Sequence, residues 1–252
     1  MFRAALRDDS PEDGVVAVEG PHLVEEALRA GLEITAVLAS PGGEARLAEL
    51  RSKLPQRTQI LTTTDKLFES IASTRTPQGV AALVRVRRGS FDDMLISAGV
   101  APLVVVLVAV QDPGNVGTVI RAAEGFGASG AIVATGSADP WQQKSLRASA
   151  GSALRLPILS GVQAARAMAQ LRVAGFTLVA AASGEGEFPS RVDLRGPVAL
   201  LIGNEGAGLP AEVLRSANVR VRIPLAEQVE SLNAAMAASV LLYEAARQRG
   251  RA

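Results

Sequence analysis

A two-domain α/β protein, its larger part an open and mostly parallel sheet, is what the sequence predicts, on three observations. Residues 103–110 are eight consecutive apolar residues, the pattern of a strand covered on both faces. Downstream, short apolar runs alternate with helical patterns at the spacing of βαβ units. Upstream, a shorter α/β series closes before a polar, glycine-containing stretch, RRGSFDDMLISAGVAP, at 87–102.

In the first part, 15–19 reads as a strand and 21–30 as a helix stopped by Gly31. Strand 34–39, helix 44–54, short strand 59–61, helix 65–72 and strand 80–86 follow. The expected domains are therefore 1–88, a linker at 89–100, and 101–252. In the second part, strand 103–110 leads to a helix at 115–126 and a strand at 131–134. Helices at 141–150 and 163–173 precede strand 176–181. Strand 198–202, helix 210–216, strand 219–223 and a long helix at 231–248 complete the series.

Composition bounds the chemistry. With 48% hydrophobic and 3% aromatic residues, the core is aliphatic. The absence of cysteine excludes disulfides, thiolate metal sites and a cysteine nucleophile, and fits a reducing cytoplasm. A single histidine, His22, rules out a His-rich metal site and reads as a structural or RNA-facing residue. The N-terminus lacks the apolar core of a signal peptide, and the longest apolar run is too short to span a bilayer. A cytoplasmic protein with no membrane partner is expected. Net charge is +1, with 12 basic and 12 acidic residues before residue 90 and 14 and 13 after it. Bulk charge thus gives no support to nucleic-acid binding, which must rest on local sites.

Three loops, the first two punctuated by glycine, sit directly after strands, where open α/β sheets bind ligands. The first, QDPGNVGTVIRAAEGFG (111–127), places Asn115 near a helix start and Arg121 six residues further along the same helix. Alone, it fits an Asn cap and a solvated arginine equally well. The second, IGNEGAGL (202–209), surrounds Glu205 with three glycines, which permit close backbone approach to a ligand. Asn204 and Glu205 could bond a ribose or an amine. The third, IPLAEQVESLN (223–233), carries Ser231 and Asn233 into a long helix; one of the two is expected to cap it. Gly125–Gly130 (GFGASG) matches a dinucleotide fingerprint by spacing. It follows a helix and enters a strand, the reverse of the required context, which disfavours an oxidoreductase.

In this order and spacing, NVGTVIRAAEGFGASG (115–130), LLIGNEGAGLP (200–210) and RIPLAEQVESLNAAMAASVLLYEAAR (222–247) resemble the three motifs of the SpoU/TrmH family of RNA ribose methyltransferases, in the SPOUT superfamily. KSLRASAGSALRLPI (144–158) is also similar. VEGPHLVEEALRAG and STRTPQGVAALV resemble the small α/β substrate-binding domain of the family. The resemblance implies an α/β domain with a C-terminal trefoil knot, a rare exception to unthreaded topology. It implies a homodimer, RNA as substrate and S-adenosylmethionine as methyl donor, with no metal. Gly203, Ile223 and Leu232, with Leu225 and Asn204, would contact the donor; Asn115, Arg121, Glu205, Ser231 and Asn233 would serve catalysis and RNA contact. The extra N-terminal domain favours ribosomal over transfer RNA by analogy.

One departure is Glu227, where the family commonly has glycine; a side chain there would narrow the pocket or, at positive φ, strain the turn. Ala234 and Ala235 replace a common Val-Ser. Methyl transfer to a 2′-hydroxyl is an in-line displacement on a donor that carries its own activation. The protein must therefore position two partners and manage one proton. Arginine stays protonated near neutrality, so orientation and charge stabilisation are the firmer role for Arg121. The competing reading is a non-catalytic RNA- or ribosome-binding protein that keeps the fold.

Overall fold

The computed structural model describes residues 1–6, 14–95 and 100–250. In chain order the first elements are α1 (Phe2–Leu6), β1 (Val15–Glu19), α2 (Pro21–Arg29), β2 (Glu33–Ala39), α3 (Glu44–Arg51), β3 (Gln59–Thr62), α4 (Asp65–Ile71) and β4 (Val80–Arg85). Next come α5 (Phe91–Leu95), β5 (Leu103–Leu107), α6 (Pro113–Gly125), β6 (Gly130–Ala134), α7 (Gln143–Ser149), β7 (Ile158–Val162) and α8 (Ala164–Val173). The chain ends through β8 (Thr177–Ala181), β9 (Val198–Ile202), α9 (Ala211–Ser216), β10 (Val219–Val221) and α10 (Ala234–Gln248). Two compact units result: Met1–Arg87 with Trp141–Arg155, and Arg88–Pro140 with Leu156–Ala252.

The first unit holds a four-stranded sheet in the order β1-β4-β2-β3, with β4 antiparallel to both β1 and β2, and β3 parallel to β2. Its core joins Phe2 and Leu6 of α1 to Phe68 of α4 and to Ala17, Ala36 and Leu83 of the sheet. Gly20, at φ 94°, turns the chain from β1 into α2, whose first helical position is Pro21. Residues 141–155, expected in the second domain, pack here instead. Gln143 Nε2 donates to the Ala17 carbonyl at 2.8 Å, Arg147 donates to Ser73 Oγ at 2.5 Å, and Arg155 pairs with the buried Glu26. Side chains of opposite need, remote in sequence, decide that placement.

The expected linker at 89–100 is also more structured than its polarity suggests. Gly89 N donates to the Ile158 carbonyl at 2.8 Å, and Met94 of α5 is fully buried in the core of the second unit. Gly130 admits it, since a Cβ at that position would meet Met94 Cγ at 2.6 Å. Residues 96–99 of this stretch lie outside the described residues.

The second unit is a six-stranded, wholly parallel sheet in the order β10-β8-β9-β5-β6-β7. β5, β6 and β9 are buried at every residue, as parallel strands covered on both faces must be. β7 adds a strand to the expected series: a half-exposed edge strand of mixed polarity containing Gly161 at φ 75°. The apolar run from 103 stops being strand at Leu107, because Ala109 turns to φ 56°. α10 packs against α6 and β9, which brings the ends of the first and third loops together.

Candidate active site

β10, β8, β9 and β5 are neighbours in the sheet, so the loops leaving their carboxyl ends gather at one edge. After β5, Asp112 caps α6: its Oδ1 accepts from Gly114 N at 2.7 Å, and Pro113 occupies the first turn. Asn115 is thereby freed from capping. Its Nδ2 donates to Glu205 Oε1 at 2.5 Å, a charge-assisted bond between the first and second loops.

The second loop closes on itself through Asn204 N to Gly208 O at 3.1 Å and Gly208 N to Asn204 O at 3.0 Å. Gly203 is required by this closure, since a Cβ there would meet Gly208 C at 2.4 Å. The Asn204 side chain fills the turn: Oδ1 accepts from Gly206 N at 2.9 Å and Ala207 N at 3.0 Å, while Nδ2 donates to the Ala109 carbonyl at 3.1 Å. Glu205 is left at the tip, half-buried.

The third loop spans the residues between β10 and α10. Asn233 caps α10, accepting at Oδ1 from Ala235 N at 2.9 Å and Met236 N at 3.4 Å. With the oxygen so engaged, its Nδ2 points outward and donates to Asn115 Oδ1 at 3.1 Å. The cap thus orders a directional chain, Asn233 to Asn115 to Glu205, in which each amide can face only one way.

A cleft enclosing about 700 Å³, its open mouth included, lies beside this chain. Its apolar wall includes Ile223, Leu225, Leu232 and Ala237; its polar side includes Asn204, Glu205, Glu230 and Ser231. Gly203, Ile223, Leu225, Leu232 and Asn204, the residues expected at the donor, all line it, as do Glu205 and Ser231. Asn115 and Asn233 reach it through Glu205. Arg121 does not line it; it is an exposed residue of α6 that forms no ion pair among the described residues. Glu227 is exposed and off the lining, and its backbone is unstrained: the only non-glycine residues at positive φ among those described are Ala109 and Ala150. The sequence reading missed Ala181, the last residue of β8, with Ala182 and Ser183 just beyond it. Small residues following a strand carry no signal until the strand order is known. Among the described residues, no cluster of His, Asp or Glu could hold a metal ion, and no helix is long and apolar enough to cross a membrane.

Such a cleft at the carboxyl ends of adjacent parallel strands, with a carboxylate held at its edge, defines an α/β protein that binds a small ligand. Comparison with known proteins narrows this. Residues 102–243 match the SpoU rRNA Methylase family and residues 9–82 the MRM3-like substrate binding domain. The chain belongs to the SpoU rRNA methylase family. It is 32% identical over 226 residues, 90% of this chain and 86% of the relative, to the 23S rRNA (guanosine(2553)-2′-O)-methyltransferase RlmP of Bacillus subtilis. The SpoU methyltransferase AviRb from Streptomyces viridochromogenes, solved in complex with AdoMet, superposes with a TM-score of 0.87 at 31% identity, covering 98% of this chain and 96% of that one. An AdoMet-bound rRNA methyltransferase from Sinorhizobium meliloti gives 0.83 at 33% identity, covering 98% and 92%.

Proposed function

We propose that this protein transfers the methyl group of S-adenosylmethionine to a ribose 2′-hydroxyl of RNA, and that its substrate is ribosomal rather than transfer RNA. The observation that carries the reading is the Asn233–Asn115–Glu205 chain at the rim of a half-apolar cleft. The cleft fits the donor: aliphatic side chains offer a surface for an adenine, and the carboxylates of Glu205 and Glu230 suit hydroxyl and ammonium groups. When bound, the donor would supply a methyl carbon activated by its sulfonium, the C–S bond breaking to leave a thioether as the O–C bond forms and the 2′-hydroxyl proton passes to solvent. The residues of the protein then hold the two partners in line. Glu205, one oxygen committed to Asn115, keeps the other for a hydroxyl or amine proton. Ser231 lines the same space as a second small polar contact. Arg121, on the exposed side of α6, grips the phosphate beside the target ribose and lowers the cost of charge on the 2′-oxygen.

Residues 1–88 serve as the RNA-recruiting domain and 101–252, apart from the 141–155 segment that packs with the first unit, as the methyltransferase domain, with 89–100 between them; the two family matches support this division. A homodimer is proposed on α10, where Met236, Val240 and Tyr243 expose 57, 41 and 48% of their surface on one face at helical spacing. The test is incubation of the protein and labelled donor with ribosomal and transfer RNA from a strain lacking the gene, followed by mapping of ribose methylation. Label at a single 2′-oxygen of ribosomal RNA is expected. Donor binding without transfer to either RNA would favour a non-catalytic RNA-binding role, and label only on transfer RNA would overturn the substrate assignment.

A further inference from the structure

Ala109 is one of two non-glycine residues held at positive φ among the described residues, and it sits where β5 hands over to the first loop. An alanine held in the left-handed region is strained, so something must hold it. The Ala109 carbonyl accepts from Asn204 Nδ2 at 3.1 Å, and the same Asn204 closes the second loop through Gly206 and Ala207. Val108 N to Ile202 O at 2.8 Å carries the ladder between β5 and β9 up to this point and no further. Beyond it, the two loops are joined by the Asn204–Ala109 bond on one side and Asn115–Glu205 on the other.

We infer that Asn204 is a positioning residue. Its side chain clamps the strained Ala109 and so sets where Asn115 meets Glu205, rather than contacting the methyl donor. Without the clamp, Ala109 relaxes to negative φ, the Asp112–Asn115 turn shifts, and Glu205 loses its partner. Glycine at 109 would tolerate the left-handed backbone unaided. The Asn204→Ala defect should therefore shrink when Ala109→Gly is added.

The inference rests on the proposed activity for its kinetic readout only, so the experiment has two arms. The first is the crystal structure of Asn204→Ala, expected to show Ala109 at negative φ and Asn115 drawn away from Glu205. Unchanged φ with the Asn115–Glu205 bond intact would overturn the clamp. The second measures methyl transfer and, by calorimetry, donor affinity for Asn204→Ala and for Asn204→Ala with Ala109→Gly. Turnover should fall about tenfold with donor Kd within about twofold, and the double variant should recover much of the loss. A tenfold weaker donor Kd with unchanged turnover, not rescued by Ala109→Gly, would make Asn204 a donor contact and overturn the inference. If the wild-type protein transfers no methyl group, the proposed function fails and the crystal structure alone decides the clamp.

Discussion

Asn233 performs two tasks with one amide. Its oxygen caps α10 and its nitrogen orients Asn115, so the two can be separated by choice of replacement. Asn233→Asp retains an oxygen for Ala235 N and keeps the cap, but has no hydrogen for Asn115 Oδ1. Asn233→Ala loses both, at a capping cost of about 1 kcal/mol. Asn233→Asp should therefore unfold within a degree or two of wild type yet turn over at least about tenfold more slowly. Asn233→Ala should lose both stability and turnover. Melting curves beside a methyl-transfer assay check the pair; equal stability losses would mean that the cap is not what Asn233 supplies.

At the scale of elements, the parallel sheet was legible because βαβ units announce themselves: β5, β6, β8, β9 and α6 lie within a few residues of expectation. The three loops were legible because glycine, Asn and Glu are costly choices unless a close approach needs them. Less legible was whatever depends on pairing. β7 carries no alternating pattern, and 141–155 joins the first unit through Gln143, Arg147 and Arg155. That Asp112 rather than Asn115 caps α6 was likewise undecidable from residue type, since both are good caps. One glycine now has a definite reason. A Cβ on Gly43, which precedes α3, would lie 2.2 Å from the Gly79 carbonyl, and that backbone is held by Ser40 N at 2.9 Å. Gly43→Ala must therefore prise β4 from the turn after β2, at a cost of about 1–3 kcal/mol. A lowered urea midpoint is expected; an unchanged one would mean the turn moves freely.

Across the whole molecule, charge is nearly balanced, so stability against acid depends on particular pairs and association on particular faces. If α10 carries the dimer, Val240→Arg should yield a monomer by light scattering, while a surface that plays no part would leave the mass unchanged. The acid response centres on Glu26 in the first unit. Burial works to raise its pKa, but the hydrogen bonds and charges of Arg155 and Arg29 together outweigh it and hold the carboxyl below its ordinary value of 4.5. A carboxyl depressed in the folded state favours folding fully above its unfolded pKa. It gives that contribution up as pH falls through the folded value. Glu26→Gln keeps the shape and an acceptor but carries no charge to titrate. At pH 7 the wild type should be more stable than Glu26→Gln by on the order of 1–2 kcal/mol, discounted because Arg29 is largely exposed. Between pH 5 and 3 (roughly the window set by the depressed value) the difference should shrink as the carboxylate takes up its proton. Urea unfolding of both proteins at several pH values measures it directly. A gap that persists unchanged at pH 3 would show that Glu26 holds the first unit by shape and hydrogen bonding, with its charge contributing nothing.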